Sequence, residues 1–477
     1  MTFNELLKIV SAKNAPDVCI DSRLVKAGDI FVAIPGTTYD GYAFIDSAVA
    51  KGARYIVSQK PCRCGGCEAI VVKDAAEAAG LLAQSARGNP AFKLINMAVT
   101  GTNGKTTITF LVRSIVQSAG LKCGLIGTII CDDGKASFDS AMTTPDCLSV
   151  AKIQQQMVEN GAGHMVIEAS SHALDQNRLA GVSFKSAAFT NLTGDHLDYH
   201  RNEENYLAAK MRLFSALPPD STAVLNKQSP ASAKIAAGTN AKVLWYAVDE
   251  PADIKAGVEK MDITGTVFTL EYAGGKEMVR SALTGRYNIS NHLAAAGLAL
   301  AAGFDLKTVA CGLSALRAVP GRVERVEWGG DFSVFVDYAH TDDALKNVLS
   351  TLRPLCKGRL IAVFGCGGDR DKTKRPRMAA VTENLADFVM VTSDNPRTED
   401  PQEIIRQIMA GFKDPDPKQV AVEPDRKKAI ETVLSAARKG DIVLIAGKGH
   451  ETYQIIGRQK SYFSDQAVAL EYLGSRR

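Results

Sequence analysis

The chain has 477 residues, of which 46% are hydrophobic and 23% are charged, and its formal net charge is +4. This composition is typical of a globular protein and excludes an intrinsically disordered chain, while the length predicts about three domains. The small net charge does not indicate a nucleic-acid or membrane surface, so we expect neither nucleic acid binding nor membrane insertion.

The N-terminal stretch 1–10 has no apolar core of signal-peptide length, and no later run is long enough to span a membrane. Most of the ten cysteines are scattered along the chain, which is typical of a reducing compartment. We therefore expect a cytoplasmic protein, and we expect it to act as a monomer.

The first segment, residues 1–90, alternates short strands with short helices. The apolar runs predict strands at 30–34, 55–57 and 69–72 and a helix at 75–85. The segment ends at Gly88-Asn89-Pro90, a typical boundary signal. We predict a small mixed α/β domain.

One group of cysteines in this segment is clustered: Cys62, Cys64 and Cys67. Their spacing could hold zinc or iron, but no fourth ligand is obvious nearby and the segment has the composition of a loop. The alternative is a set of reduced surface thiols. The sequence leaves both alternatives open.

The second segment, residues 91–317, opens with a predicted strand at 95–99 and continues with helices such as 108–119 and 291–302. This alternation of strands and helices predicts a mostly parallel sheet. The third segment, residues 318–477, begins at the Val319-Pro320-Gly321 turn.

In the third segment, strands are predicted at 334–336, 360–364, 388–392 and 442–445, with helices between them. This pattern predicts a second, smaller doubly wound sheet. The predicted fold class is therefore α/β, with three domains at 1–90, 91–317 and 318–477.

A glycine-rich loop, within AVTGTNGKTTITF at 98–110, lies between the first predicted strand and helix of the second segment. There, backbone N–H groups and the helix N-terminus can bind phosphate, Lys105 adds positive charge, and the Thr106 hydroxyl can bind Mg²⁺. The full eight-residue phosphate-loop pattern is absent because Val99 occupies the place of its first glycine. The alternative is a tight turn capped by threonine.

Charged side chains also follow two other predicted strands. Glu168 comes after the apolar run 165–167, and Asp195-His196 come after the run 187–190. A carboxylate and an imidazole at adjacent strand ends suit a Mg²⁺ site, although a lone strand-end glutamate is more often a solvated charge. Lys210 lies in the helical stretch YLAAKMRLF, where the simplest interpretation is a lysine whose ammonium reaches solvent.

The segment Asp394-Asn395-Pro396-Arg397 ends another apolar run. A turn does not need an arginine, whereas a guanidinium beside an amide suits a substrate with a carboxylate and an ammonium group. The alternative is a surface turn whose arginine pairs with Glu399 or Asp400.

The loop TGTNGKTT at 100–107 resembles the ATP loop of the Mur ligases and of their relatives, the folylpolyglutamate synthetases. Those enzymes phosphorylate a carboxylate with ATP, and an amine then attacks the acyl phosphate. The resemblance implies ATP and Mg²⁺ as cofactors. It implies an ATP site at Gly101, Thr102, Asn103, Gly104, Lys105, Thr106, Thr107, Asn291 and Asp337.

The same resemblance implies catalytic roles for Lys105, His196, Lys210 and Arg322. It implies that Lys210 is carbamylated by CO₂ and so becomes an anion that helps to bind Mg²⁺. The implied metal ligands are Thr106, Glu168, His196 and the Lys210 carbamate.

Asp21-Ser22-Arg23 and the stretch 31–36 resemble the family members that add the third residue of the peptidoglycan stem peptide. Their acceptor is UDP-N-acetylmuramoyl-L-alanyl-D-glutamate. The resemblance implies an acceptor site at Ser22, Thr143, Thr144, Ser170, Gln176 and Arg178. Without it, Gln176 and Arg178 would be interpreted as an exposed helix face.

In that subgroup, Asp-Asn-Pro-Arg accompanies meso-2,6-diaminopimelate, and the lysine-adding relatives lack the arginine. Diaminopimelate is lysine with a second, distal carboxylate, which Arg397 can bind with two hydrogen bonds. The resemblance implies a diaminopimelate site at Arg370, Asp394, Asn395, Pro396, Arg397, Gly447 and Glu451.

The function expected from the resemblance is an ATP-dependent ligase that joins meso-diaminopimelate to the D-glutamate of the UDP-linked dipeptide. One alternative is a related ligase, either a lysine-adding Mur ligase or a folylpolyglutamate synthetase. Another is a catalytically silent nucleotide-binding protein that regulates a partner.

Overall fold

The computed structural model describes residues 1–12, 15–36, 39–63, 65–140, 142–194, 196–413, 415–416 and 418–475. The chain divides into two compact units. One unit contains Met1–Ala256, Leu270–Glu277 and Ser290–Ala315, and the other contains Gly257–Thr269, Met278–Ile289 and Leu316–Arg477. The three predicted domain boundaries stay a prediction.

The N-terminal sheet has four parallel strands in the order β1-β2-β3-β4. The strands are β1 Val18–Cys19, β2 Ile30–Val32, β3 Tyr55–Ser58 and β4 Glu68–Val71. The helices are α1 Phe3–Val10, α2 Ile45–Ala50 and α3 Ala75–Ala86, with 3₁₀ turns at Gly41–Phe44 and Pro90–Lys93. Because side chains alternate along a strand, Ile30 and Val32 pack with α1 and α3, whereas Phe31 packs with α2.

The central sheet has the strand order β15-β14-β13-β12-β11-β10-β5-β9-β6-β7-β8. Strands β12, β11, β10, β5, β9 and β6 are parallel, and β7 and β8 are antiparallel additions at one edge. The strands are β5 Ile95–Thr100, β6 Cys123–Ile126, β7 Ile130–Asp132, β8 Ser137–Asp139, β9 His164–Glu168, β10 Ser186–Phe189, β11 Thr222–Asn226, β12 Lys242–Val248, β13 Ile254–Asp262, β14 Gly265–Tyr272 and β15 Gly275–Ser281.

Eight helices accompany these strands in the part of the chain that the structure describes. They are α4 Lys105–Ser118, α5 Cys147–Glu159, α6 Ser171–Asp175, α7 Leu197–His200, α8 Glu203–Ser215, α9 Ala231–Ala237, α10 Arg286–Ala301 and α11 Leu306–Ala315. Strand β5 lies between β10 and β9, so three adjacent parallel strands end at the same edge of the sheet. Ligands of open α/β sheets bind at such an edge.

The C-terminal sheet has the order β16-β17-β21-β18-β19-β20, in which β16 is antiparallel and the other five strands are parallel. The strands are β16 Glu324–Arg325, β17 Ser333–Asp337, β18 Leu360–Phe364, β19 Phe388–Val391, β20 Val420–Val422 and β21 Ile442–Ala446, followed by the hairpin β22 Tyr453–Ile456 and β23 Gln459–Tyr462. The helices are α12 Asp342–Leu352, α13 Lys374–Leu385, α14 Pro401–Met409, α15 Arg426–Ala436 and α16 Asp465–Gly474, with a 3₁₀ turn at Arg353–Leu355.

Both faces of this C-terminal sheet are buried. Along β17, Phe335 packs into one hydrophobic cluster, and Val334 and Val336 pack into the cluster on the opposite face. Strands that are buried on both faces are continuous apolar runs, which is why the sequence identifies them well. The predicted α/β fold class is confirmed.

Differences from the predicted elements are concentrated at their ends. Helix α4 begins at Lys105, directly at the glycine-rich loop, and α10 begins at Arg286 rather than at 291. Strands β13, β14 and β15 are among the strands that the sequence analysis does not name. Within the described part of the chain, no helix has the length and apolarity needed to cross a membrane.

Candidate functional site

The glycine-rich loop joins β5 to α4 with two glycines at positive φ, Gly101 at 144° and Gly104 at 91°. A Cβ atom at Gly101 would clash with Thr190 Oγ1, and one at Gly104 would clash with Asn291 Oδ1. Asn291 therefore lies directly against the loop. Gly104 is the N-cap of α4 and has no side chain to occupy the N–H groups of the first turn, so the alternative of a threonine-capped turn is wrong.

The loop is held by its neighbours. Thr102 Oγ1 donates to Thr193 O at 3.2 Å, and Asn103 N donates to the Asn191 side chain at 3.0 Å. Thr107 is buried in the first turn of α4.

Two lysine side chains converge on one carbonyl oxygen of the loop. Lys105 Nζ donates to Gly101 O at 3.0 Å, and Lys210 Nζ donates to the same oxygen at 2.9 Å. The two nitrogen atoms therefore lie within about 6 Å of each other, a distance at which two positive charges repel. Lys210 is 1% exposed, so the interpretation of a lysine that reaches solvent is wrong.

Glu168 is the last residue of β9 and is 1% exposed, which excludes a solvated charge. Its Oε2 accepts hydrogen bonds from Thr106 Oγ1 at 3.0 Å and Thr128 Oγ1 at 3.0 Å, and its Oε1 accepts from Thr128 N at 2.8 Å. The fold thus brings Glu168 and Thr106 together. Their oxygen atoms are of the kind that Mg²⁺ prefers.

His196 lies between β10 and α7 with φ at 54°. Its ring lies 4.8 Å from that of His172 and 6.3 Å from that of Tyr206. The Tyr206 ring in turn lies 4.2 Å from Lys210 Nζ. Tyr206, which sequence reasoning missed, therefore lies between the predicted histidine and lysine.

Asp195, which the sequence pairs with His196, lies outside the described residues. Among the residues that can be described, no three histidine, cysteine, aspartate or glutamate side chains form a group that could hold a metal ion. The predicted metal site has only two ligands of these residue types, Glu168 and His196. Its other two predicted ligands are the Thr106 hydroxyl and the Lys210 carbamate.

Four of the six predicted acceptor residues form one network with the backbone of β9. Thr144 Oγ1 donates to Glu168 O at 2.6 Å and lies 3.2 Å from Ser170 Oγ. Arg178 donates to Thr144 O at 2.8 Å and to Gln176 Oε1 at 2.7 Å. Gln176 and Arg178 are half-buried, so the interpretation as an exposed helix face is wrong.

The other two predicted acceptor residues are placed differently. Thr143 Oγ1 lies 3.1 Å from Thr128 Oγ1 and is thereby linked to the Glu168 carboxylate. Ser22 is buried in the loop between β1 and β2, and no described hydrogen bond joins it to the Thr144 network.

In the second unit, Asp337 ends β17 and is buried. Its carboxylate accepts hydrogen bonds from Val323 N at 2.6 Å and Ala339 N at 2.7 Å. Burial raises the pKa of Asp337, and the opposing charge of Arg322 only reduces the shift. The Arg322 guanidinium lies over the Tyr338 ring, 4.8 Å from its centroid.

Arg397 follows β19 in the left-handed region, with φ at 52°. Its N–H donates to Ile455 O at 3.1 Å, its carbonyl accepts from Gly457 N at 2.7 Å, and its guanidinium donates to Gly368 O at 2.8 Å. The β22–β23 hairpin and the loop after β18 therefore hold the arginine in place.

The surface-turn alternative for Arg397 is wrong. Glu399 binds the buried Arg375 at 3.0 Å and Lys372 at 3.4 Å. No ion pair among the described residues joins Arg397 to Glu399 or Asp400.

Arg370 is exposed in the loop after β18, and Pro396 is buried.

Asn395 connects the ends of β19 and β21. Its Nδ2 donates to Glu451 Oε2 at 2.8 Å. Its Oδ1 accepts from Lys448 Nζ at 3.0 Å and from Ile455 N at 3.0 Å. Sequence reasoning missed Lys448, although it lies in the same Gly447–Glu451 segment as two predicted residues.

A buried ion pair contacts the chain at the ends of β19 and β21. Arg426 and Asp465 are both fully buried and approach to 2.7 Å. The Arg426 guanidinium also donates to Ala446 O at 2.9 Å and Ser393 O at 3.3 Å. The pair therefore anchors the backbone at the carboxyl ends of β19 and β21.

Three family models match consecutive parts of the chain. "Mur ligase family, catalytic domain" matches residues 17–93, "Mur ligase middle domain" matches 99–299, and "Mur ligase, glutamate ligase domain" matches 321–449. A relative from Geobacillus kaustophilus, named UDP-N-acetylmuramoyl-L-alanyl-D-glutamate--2,6-diaminopimelate ligase, is 43% identical over 95% of this chain and 94% of its own length. The chain belongs to the Mur ligase family.

A second relative of this Mur ligase, from Gloeobacter violaceus, has the same name and is 44% identical over 100% of this chain and 99% of its own length. A solved structure with that name is 33% identical, has a TM-score of 0.71, and covers 100% of this chain and 99% of its own. The predicted family is confirmed.

The cysteine cluster of this Mur ligase contains a disulfide-bonded residue. Cys62 is free and half-buried, whereas Cys67 is disulfide-bonded, so the alternative of reduced thiols does not hold for Cys67. Cys64 lies outside the described residues.

Gly447 has no room for a side chain. Its φ is 117°, and a Cβ atom there would lie 2.7 Å from Asp394 Oδ2. We expect Gly447→Ala to lower the free energy of unfolding by about 1–3 kcal/mol because the backbone is strained and the carboxylate must move. Chemical denaturation measures the change.

The matched control for this variant is Gly474→Ala, at the end of α16, where the added methyl group meets open space. Equal unfolding free energies for the two variants would contradict the structural role of Gly447.

Proposed function

We propose that this Mur ligase adds meso-2,6-diaminopimelate to the D-glutamate of UDP-N-acetylmuramoyl-L-alanyl-D-glutamate, with ATP, in peptidoglycan precursor synthesis. Relatives with that name at 43% and 44% identity over nearly the whole chain support the proposal. The observation that carries the choice of amino acid is a chain of hydrogen bonds: Arg397 N–H donates to Ile455 O, Ile455 N donates to Asn395 Oδ1, and Asn395 Nδ2 donates to Glu451. A guanidinium and a carboxylate on segments that are joined in this way match a distal group with a carboxylate and an ammonium.

The arrangement of the glycine-rich loop supports ATP as the phosphate donor. Lys105 and the N–H groups of the first turn of α4 hold and orient the γ-phosphate, and Asn291 lies against the loop where the nucleotide continues. Phosphoryl transfer needs mainly positioning and charge stabilisation from a protein, and these groups provide both. Asp337 is proposed to bind the ribose, and Arg322 is proposed to act on the transferred phosphate.

The chemistry takes place in two steps. A γ-carboxylate oxygen of D-glutamate attacks the γ-phosphorus of ATP, the bond to the β-phosphate oxygen breaks, and ADP leaves. The uncharged amine of diaminopimelate then attacks the acyl carbon, phosphate leaves with its electron pair, and the nitrogen loses a proton. Exclusion of water protects the acyl phosphate between the two steps.

Glu168, Thr106, His196 and a carbamylated Lys210 are the proposed Mg²⁺ ligands. The oxygen atoms of Glu168 and Thr106 fit a hard cation, and His196 would be the single nitrogen ligand. When bound, Mg²⁺ neutralises charge on the phosphate oxygens. Thr128 orients the Glu168 carboxylate through two hydrogen bonds.

Carbamylation of Lys210 is supported by its surroundings. Two ammonium groups on one carbonyl oxygen repel each other, and Lys210 is almost fully buried. The unprotonated amine adds to the carbon of CO₂, an N–C bond forms, and a proton is released. The product is an anion, so the repulsion with Lys105 becomes an attraction.

The Thr144 network supports the proposed acceptor site. Thr143, Thr144, Ser170 and Gln176 supply hydroxyl and amide groups, and Arg178 supplies one positive charge. This set suits a polar, anionic sugar–peptide substrate. We further propose that Ser22 binds the uridine end, and that the enzyme is a cytoplasmic monomer.

The test is ADP release by the purified protein with ATP, Mg²⁺ and the UDP-linked dipeptide, in parallel with meso-diaminopimelate and with L-lysine. We expect release to need both the dipeptide and diaminopimelate, with kcat/KM favouring diaminopimelate over lysine by about 10⁴-fold. Release with folate and glutamate instead would indicate a folylpolyglutamate synthetase. No release with any substrate would indicate a nucleotide-binding protein without ligase activity.

A further inference from the structure

Lys448 is fully buried at the carboxyl end of β21. Its Nζ donates to Asn395 Oδ1 at 3.0 Å and to Glu451 Oε2 at 3.3 Å, and it lies 4.0 Å from Asp394 Oδ1. The lysine therefore contacts three of the residues proposed to bind diaminopimelate. None of the proposed catalytic steps uses it.

The ammonium of Lys448 determines how two ligand side chains are presented. Asn395 can rotate its amide group, and two donors, Lys448 Nζ and Ile455 N, hold its oxygen on their side. Its Nδ2 is thereby directed to Glu451. Lys448 and Asn395 both bind Glu451 Oε2, and the Tyr453 side chain also hydrogen-bonds to Glu451, so three side chains orient this carboxylate.

Lys448 also balances charge. Asp394 and Glu451 are two nearby carboxylates, with side chains 10% and 14% exposed. A buried positive charge is costly unless it is paired, and an apolar side chain of similar size would often serve stability equally well. The lysine is therefore better explained by the arrangement of the ligand side chains than by stability.

We infer that Lys448 is a positioning residue for the distal end of the amino-acid substrate. It orients the Asn395 amide and the Glu451 carboxylate, and its positive charge offsets the negative charges of Asp394 and Glu451 when no substrate is bound. The inference rests on the proposed function, because it assigns Asn395 and Glu451 to that substrate.

The first test compares Lys448→Met with Lys460→Met. Lys460 Nζ lies 3.8 Å from the Tyr453 ring centroid and is exposed, so it serves as a matched lysine that touches neither ligand side chain. We expect Lys448→Met to raise KM for meso-diaminopimelate by about 30-fold or more, because a buried charged hydrogen bond is lost. KM for ATP and for the UDP-linked dipeptide should not change, and Lys460→Met should match the unmodified enzyme.

A second variant separates positioning from folding. Lys448→Met/Glu451→Gln removes one positive and one negative charge, so it avoids an unpaired buried carboxylate at residue 451. If Lys448 acts through Glu451 and Asn395, KM of the double variant for diaminopimelate should be no worse than that of Glu451→Gln alone. This comparison remains available if Lys448→Met does not fold.

An unchanged KM for diaminopimelate in folded Lys448→Met would overturn the inference. It would also be overturned if the increase in KM of the double variant equalled the product of the increases in the two single variants. Failure of the proposed function would be recognised by a different result: the unmodified enzyme would then turn over L-lysine in place of diaminopimelate. In that case the same comparison is made with lysine, and an unchanged KM there overturns the inference equally.

Discussion

Lys210→Ala is expected to abolish turnover, with kcat at least about 10³-fold lower, comparable to the loss of a main charge-stabilising group in other active sites. The substitution removes the proposed carbamate and the hydrogen bond from Lys210 Nζ to Gly101 O, which is 2.9 Å long. Among the hydrogen bonds of the described residues, Gly101 O then keeps only the one from Lys105. Steady-state ADP release measures the effect.

The rescue of the Lys210→Ala variant distinguishes a carbamate from an ordinary ammonium. Short carboxylic acids such as formate or acetate should partly restore turnover, because they return a carboxylate to the cavity. With ¹³C-labelled bicarbonate, the unmodified enzyme should show a carbamate carbon signal in the NMR spectrum that the variant lacks. Lys234→Ala, which changes an exposed lysine in α9, is the control and should keep full activity.

Two outcomes would contradict the role assigned to Lys210. Unchanged kcat in the alanine variant would show that the side chain is not needed. A carbamate signal of equal strength in the variant would show that another amine is modified.

Arg397→Ala is expected to raise KM for meso-diaminopimelate by about 10²–10³-fold, because a charged hydrogen-bond partner of the distal carboxylate is lost. Residue 397 has a positive φ, and alanine has the same Cβ atom as arginine. The backbone strain is therefore similar in both proteins, so the change reports on the guanidinium. Its contact with Gly368 O also disappears.

The Arg397→Ala variant should lose discrimination as well as affinity. L-Lysine has no distal carboxylate, so its KM should stay the same or decrease in the variant. Arg458→Ala, an exposed arginine in the turn of the same hairpin, is the matched control. Equal KM values for diaminopimelate in the two arginine variants would refute the assignment.

The parts of the site that the sequence predicts well are those at the ends of buried strands. Glu168 ends an apolar run of the central sheet, and Asp337 and Asn395 end or follow apolar runs of the C-terminal sheet. Within each sheet, parallel strands bring such ends to one edge. The sequence could therefore predict which residues meet there. It could not predict that Glu168 and Lys210 are buried, because burial depends on the neighbouring elements.

The residues that the sequence analysis missed join the site through tertiary contacts. Thr128 follows β6, which is paired with β9, so its contact with Glu168 depends on strand order. Tyr206 lies four residues before Lys210 in α8, a spacing that places two side chains on the same face of a helix. That spacing was the available signal. For Lys448, the only signal in the sequence was its position between the predicted residues Gly447 and Glu451.

The elements outside the parallel sheets were also harder to predict. Strands β13, β14 and β15 lie at an edge of the central sheet, and β14 alternates between buried and half-buried residues. Such a half-buried pattern is weaker than the continuous apolar runs of β9 or β21.

The most direct measurement is a crystal structure of the enzyme with meso-diaminopimelate bound. We expect the distal carboxylate to accept two hydrogen bonds from the Arg397 guanidinium and the distal ammonium to lie against Glu451. A bound diamino acid whose distal carboxylate is held by other groups, with Arg397 still donating to Gly368 O, would contradict the choice of substrate.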